Sequence, residues 1–553
     1  MSDYPFDLGS YSRSVSTKVP AAQTWFDRGL AWAQGYNHEE AVNCYQRATE
    51  ADPQCAMAWW GIAYSAGPNY NFPWVLMDPE TQAGALGTAF EAAQRALSLV
   101  DDVSLAEKAL INAIQARYPQ ATPIDDMSAW NDAFANEMRK AMSDVPDDLD
   151  VTCVFAEALL NRTPWNMWDL VTGEPVEGAD SLECREVLER VLERDDARAH
   201  PGLLHLYIHL MEMSATPEVA LKFGDLLGPL VPDGGHLVHM PTHVDVQCGH
   251  YQNVLNRNQA AVERDGKFFE YAGAANIYTL YRLHNYHFVI YGAMFLGQIG
   301  PALSAAREMR NTAPEEMLRI ESPPMADFFE GYLSFEPHVL VRFGRWRECT
   351  ELALPDDQEL YCSQTVFIWY ARALGHAALG EIQEAEAAES EFQAARARVP
   401  ETRMLHNNTV VALLEVADAM LAGEIRYRKG DYEAAFERLR HAVVLDDALH
   451  YDEPWGWMQP VRHALGALLF EQGQIDEAEQ AFREDLGLVG HMRRATVHPD
   501  NVWALKGLYD CLKARGEQIE IVQIKQRLDI ALARADAPIL AACGCADVAR
   551  AAS

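Results

Sequence analysis

Apolar residues recur at three- and four-residue spacing through most of the chain. Almost no segment shows the strict alternation of a half-buried strand, so the pattern predicts an all-α protein. The clearest signal is TWFDRGLAWAQGYNHEEAVNCYQRATEADP, residues 24–53, which reads as two amphipathic helices joined by a turn at Gly35 and closed by Pro53. Similar helix pairs return between Gly375 and Pro400, around Gly430, Tyr432, Ala435 and Ala442, and at Leu465, Gly466, Gly473, Ala478 and Phe482, and a last one opens at HPDNVWALKGLYDCL. Pro-, Gly- and acid-rich stretches at 118–126, 161–180, 312–325 and 354–360 interrupt the array. They suggest three blocks: an N-terminal one over 1–130 with the loop GPNYNFPW, a central histidine-rich one over 131–325, and a C-terminal one over 326–553.

Within residues 24–53, Trp25, Gly29, Trp32, Ala41, Tyr45, Ala48 and Pro53 stand at the spacings of a 34-residue pattern, with small residues where two helices approach and aromatics filling the gap. This segment resembles a tetratricopeptide repeat. The resemblance implies an α-solenoid of helical hairpins forming a curved wall around a central cavity. Longer segments, AYSAGPNYN, EKALINAIQARY, AEALLNRTPWNMWD, HLYIHLMEMS and GGHLVHMPTHVDVQCGHY, are similar to a group of tetratricopeptide-repeat-containing proteins over about residues 20 to 310. That group brings no established activity with it.

Charge removes several partner classes. The chain carries 45 basic and 81 acidic residues, a formal charge of −36, which repels phosphate backbones and anionic lipid heads. Neither nucleic acid nor a membrane surface is expected as partner. The start MSDYPFDLGS has no basic or apolar leader, and no run of about 18 apolar residues occurs, so a cytoplasmic protein is expected. Ten cysteines are too sparse for a disulfide framework and are expected to stay reduced, and Cys543 and Cys545 form a CxC pair that more often has no metal role.

Histidine changes the picture most. Nine of the 18 histidines lie between residues 200 and 287. The repeat register can be fixed without them: Ala220 and Pro232, Gly249 and Tyr251, and Gly297 and Ala302 mark three second helices, which places repeat position 1 near residues 201, 235 and 283. The resemblance implies that positions 2, 5, 9 and 12 of each first helix face the concave groove. His205, His209, His236, His239, His243, His284 and His287 then all face inward, with Glu212 at position 12 of the first of these helices. Nine such slots would hold about 0.3 histidines by composition alone, a count in the manner of matching a periodic template.

Imidazole clusters suit transition metals rather than Mg or Ca, and three histidines per ion leave an open position. Copper or iron is favoured, zinc is the other choice, and one or two ions are open. Hydrogen bonding among the histidines, or a peptide groove, is the competing reading, and Pro241 can start its helix late and leave His236 and His239 in a turn.

Glu212 is the candidate general base, and Tyr286 and Tyr291 are candidate proton donors or positioning groups beside the metal. Trp60, Tyr64, Asn69, Asn71 and Trp165 are candidate substrate contacts, with structural turns and core filling as the alternative. No GxSxG, Walker loop, GxGxxG or HExxH occurs. The expectation is a metal-dependent enzyme acting on a small molecule, leaning to oxidative over hydrolytic or lyase chemistry. A non-enzymatic repeat scaffold binding a protein partner, or a homo-oligomer, stays open.

Overall fold

A computed structural model describes residues 4–490 and 492–546. Helices dominate, and the strands among the described residues are two dipeptides, Met404–Leu405 and Asn408–Thr409, paired antiparallel. The all-α expectation holds.

The first helical pair shows how sequence makes the hairpin. Pro20 opens the helix Pro20–Gln34, where its missing N–H costs nothing. Asn37 caps the next helix, His38–Ala51, by accepting from Glu40 N. Tyr45 on that second helix is buried between Gly29 and Gly61, and a Cβ at either glycine would come within 2.7 Å of its ring. The small residues of the pattern are therefore space for one aromatic side chain. The same packing recurs late in the chain, where Phe482 is wedged against Gly466 and Gly507. Overpacking such a contact costs about 1–3 kcal/mol, which explains glycine at helix-interior positions where its propensity is poor.

The chain forms two compact units. One comprises Met1–Val244 and Ala260–Arg282, the other Asp245–Gln259 and Leu283–Ser553, so the central block of 131–325 is shared out between them. The first unit contains the helices Pro20–Gln34 to Gly235–His239, and its long loops at 67–74 and 161–180 carry isolated bridges, Asn69 to Phe72 and Trp168 to Pro175. The second contains the regular hairpins Cys362–Ala378 with Ile382–Arg396, Val410–Arg428 with Tyr432–Asp447, Val461–Glu471 with Ile475–Asp485, and Val502–Arg515 with Glu520–Leu532.

Two local features differ from the sequence reading. Pro241 splits its segment into the short helices Gly235–His239 and Pro241–Gln247, because proline has no N–H to donate at that turn. His236 and His239 lie on the first piece and His243 on the second. Cys543 and Cys545 are joined in a disulfide, which corrects the expectation that all ten cysteines are reduced. Among the described residues no helix is long and apolar enough to cross a membrane.

Candidate metal centre

In the first unit the helix Pro201–Glu212 is buried along its whole length, so His205, His209 and Glu212 are polar groups in a helix with no solvent face. His200 starts it by an unusual cap: its Nδ1 accepts from Leu203 N, and its Nε2 lies 3.3 Å from Asp150. This histidine is spent on structure. The ring nitrogens of His205, His209 and His236 offer ligand atoms within 4.8 Å of one another, and all three rings are at most 1% exposed.

What each ring does with its other nitrogen decides the chemistry. His205 Nδ1 lies 2.7 Å from the Gln34 carbonyl, which only accepts, so the proton sits on Nδ1 and Nε2 presents a lone pair. His209 Nδ1 donates to Glu212 Oε1 at 2.9 Å, and His243 Nδ1 makes a short hydrogen bond to the other oxygen, Oε2. One carboxylate thereby fixes the tautomer and orientation of two imidazoles, the arrangement that holds histidines as metal ligands. Across the cluster His236 Nε2 faces His205 Nε2 at 3.2 Å, while His236 Nδ1 has no hydrogen-bond partner. His239 Nε2 faces His243 Nε2 at 2.7 Å.

Burial holds His205 and His236 neutral. His205 is pushed down to about 4 by burial, only partly opposed by its bond to Gln34, and His236 is lowered by burial and by its histidine neighbours. Both are unprotonated near neutrality, as ligands must be.

An aromatic shell surrounds the cluster. The Tyr36 ring packs against His205 at 4.5 Å and stacks on His209 and His236, Tyr70 lies 4.6 Å from His209, and Tyr281 lies 4.4 Å from His236. Composition and register do not single out Tyr36, whereas Tyr70 belongs to the GPNYNFPW loop that the sequence offers as a pocket cover. The only local sign of Tyr36 is the turn GYN, where it adopts φ of 56°.

The expected substrate residues fall around this shell. Trp60 and Tyr64 stack on each other at 4.9 Å and line a cavity of about 30 Å3 together with Gln34, Tyr36, Glu157 and His205. That is room for about two waters, so the cavity fits water or a comparably small molecule. Its walls are polar where it matters: both amide atoms of Gln34, the Tyr36 hydroxyl and Glu157 Oε2 have no hydrogen-bond partner. Burial raises the Glu157 carboxyl to about 8, with a smaller opposing effect from Asn161. Asn69 is occupied in its own loop, accepting from the backbone N–H groups of Asn71 and Phe72 at 2.9 Å. Asn71 lies near the hydroxyl of Tyr281, whose ring packs on His236 at 4.4 Å. Trp165 packs on Tyr70 and donates its backbone N–H to the Tyr70 hydroxyl, which leaves it one layer from His209.

The remaining expected residues belong to the second unit. His287 lies flat on Phe335 at 4.4 Å with Nε2 3.1 Å from Met458 Sδ, and it belongs to none of the convergent groups found among the described residues. The aromatic and thioether contacts hold it there. Tyr291 hydrogen-bonds His498 Nε2 at 3.0 Å, and burial raises its hydroxyl far above the ordinary value, so it is a fixed structural donor. Tyr286 is buried at 6% exposure. His284 sits with two residues that spacing does not reveal, His406 and Glu453.

A family model described as tetratricopeptide repeat matches residues 22–55. No curated protein matches the chain. Among solved structures, the chain aligns with the Cut9–Hcn1 hetero-tetramer of APC/C at 11% identity, covering 97% of this chain and 96% of that one with a TM-score of 0.26. It also aligns with Naa15/Naa10 bound to HypK-THB at 11% identity, covering 92% and 70% with a TM-score of 0.22. By the match at 22–55 and the helical hairpins that repeat its packing, the chain is a tetratricopeptide-repeat-containing protein.

Proposed function

We propose that the protein binds a transition-metal ion in its first unit through Nε2 of His205, His209 and His236, with Glu212 as the residue that orients the site. The observation that supports this reading is the commitment of Nδ1: His205 spends it on a backbone carbonyl and His209 on Glu212, which turns both Nε2 lone pairs toward the cluster. Two imidazole nitrogens on one tetrahedral ion stand about 3.3 Å apart for bonds of about 2.0–2.1 Å. The His205–His236 separation of 3.2 Å fits that spacing. The 2.7 Å between His239 and His243 is too short for it and suits an N–H···N hydrogen bond, so this unit is assigned one ion.

The competing arrangement is a hydrogen bond from His236 Nε2–H to His205. It leaves His236 Nδ1 buried without a partner, at a cost of about 1–3 kcal/mol. Three imidazoles suit Cu, Fe or Zn and leave a fourth position open, the mark of a reactive rather than purely structural site. Copper or iron there would support oxidative chemistry, and zinc would activate water. The adjoining cavity supplies space for a water-sized reactant. Metal analysis of the purified chain tests the reading, and oxygen uptake by the loaded protein then separates oxidative from hydrolytic use.

A second reading, protein binding by the repeat array, is favoured by the helix Glu520–Leu532. It leaves Val522 66% and Ile530 59% exposed, two large apolar side chains on one helix with no covering element among the described residues. Sedimentation of the wild type against Val522→Lys/Ile530→Lys tests self-association. A larger assembly lost in the variant supports it, and a single-chain mass for both removes it.

A further inference from the structure

We infer that the second unit holds a metal site of its own, built from His284, His406 and Glu453, that takes a divalent transition ion such as Zn(II) or Fe(II). Ligand atoms of these three residues lie within 4.8 Å of one another. They come from three separate elements: the helix Thr279–Leu296, the turn between the strands Met404–Leu405 and Asn408–Thr409, and the loop after the helix Tyr432–Asp447. His284 and Glu453 are each 4% exposed, and the His406 side chain is 14% exposed. Two histidines and one carboxylate are the ligand set of both hydrolytic zinc sites and non-haem iron sites with open positions.

The support behind the ligands is as informative as the ligands. His406 Nδ1 makes a short hydrogen bond to Asp452, which presents Nε2 as the ligand atom, the carboxylate–histidine–metal order. Asp452 is itself held at 1% exposure by the Asn408 amide at 2.9 Å and by Glu453 N at 3.0 Å. Asn408 in turn donates to the His450 carbonyl and accepts from His450 N. His406 adopts φ of 52°, an uncommon conformation for a side chain of this size, and its ring stacks on His284 at 4.9 Å. A hairpin of two dipeptide strands and a fully committed aspartate thus serve to place one imidazole beside another and a glutamate. Nothing in hairpin packing requires that.

The test is titration of the metal-stripped full chain with Zn(II), followed calorimetrically, for the wild type, His406→Asn, Glu453→Gln, Asp452→Asn and His236→Gln. Asparagine tolerates the backbone conformation at 406 better than most residues. In the first two variants, one binding event is expected to weaken by more than about a hundredfold, and in Asp452→Asn by about ten- to hundredfold. His236→Gln should keep that event and lose another. Wild-type titration in His406→Asn or Glu453→Gln overturns the assignment, as does loss of the same event in these variants and in His236→Gln. If the ligand variants fail to fold, as judged by circular dichroism, unchanged affinity in Asp452→Asn overturns it.

Discussion

Each unit buries a carboxylate between two histidines, and the two clusters have opposite fates. In the first, Glu212 holds His209 and His243. In the second, Asp485 holds His463 Nε2 at 2.7 Å and His498 Nδ1 at 2.8 Å. Around Asp485 every other nitrogen finds a protein donor: Arg342 Nη2 donates to His463 Nδ1 at 2.8 Å, and the Tyr291 hydroxyl meets His498 Nε2. Asn501 completes the shell of the aspartate. Burial lowers Arg342 to about 9, which leaves it a cation at neutrality beside His463, and a cation there repels a metal ion. Around Glu212 the histidines instead turn toward other histidines: His243 Nε2 faces His239 Nε2, and the His209 ring packs against His205. Histidine count does not distinguish these clusters. The partner of the second ring nitrogen does.

The largest effect is expected where the closed network is cut. Asp485→Asn leaves two histidines and Arg342 without their buried anion and should cost about 3–5 kcal/mol of stability in denaturant titration, with metal content unchanged. Metal loss on that substitution would erase the distinction between the clusters. Glu212→Gln offers one acceptor oxygen in place of two and should weaken metal binding by about ten- to hundredfold while the fold persists. Affinity equal to wild type would show that the orienting role is misassigned.

Smaller differences sharpen the same contrast. Tyr291→Phe removes a made hydrogen bond and should cost about 1 kcal/mol, whereas Tyr36→Phe removes a hydroxyl with no partner and should be close to neutral by thermal denaturation. Equal losses would mean that the Tyr36 hydroxyl has a partner after all. The smallest effect is a pH dependence in metal-stripped protein. Glu157, near 8 in the fold against an ordinary 4.5, binds its proton more tightly when folded, so its contribution falls as pH rises from about 4.5 to 8. Glu157→Gln should therefore gain on wild type across that window. His205, near 4 against 6.5, acts in the opposite sense, and stability falls as pH drops from about 6.5 to 4.

The hairpins were legible because their determinants are local: Gly29 and Tyr45 stand sixteen residues apart in one repeat and touch in the fold. Register also carried the grouping of His205, His209 and His236, since it depends on periodicity rather than on loops. It did not carry His287, whose surroundings come from Phe335 and Met458. The break at Pro241 is legible in the proline itself, but His236 and His239 lie on a short helix before it and not in a turn. Tyr36, His406 and Glu453 lie on turns and loops, where spacing says nothing about direction. Asp150 and His200 meet across 50 residues for the same reason.

The most direct test is metal content of the full chain, purified without chelator, in wild type, His236→Gln and His463→Gln. The account predicts that His236→Gln contains about one equivalent less transition metal than wild type and that His463→Gln contains the same amount. Equal metal in wild type and His236→Gln, or a matching loss in His463→Gln, would contradict it.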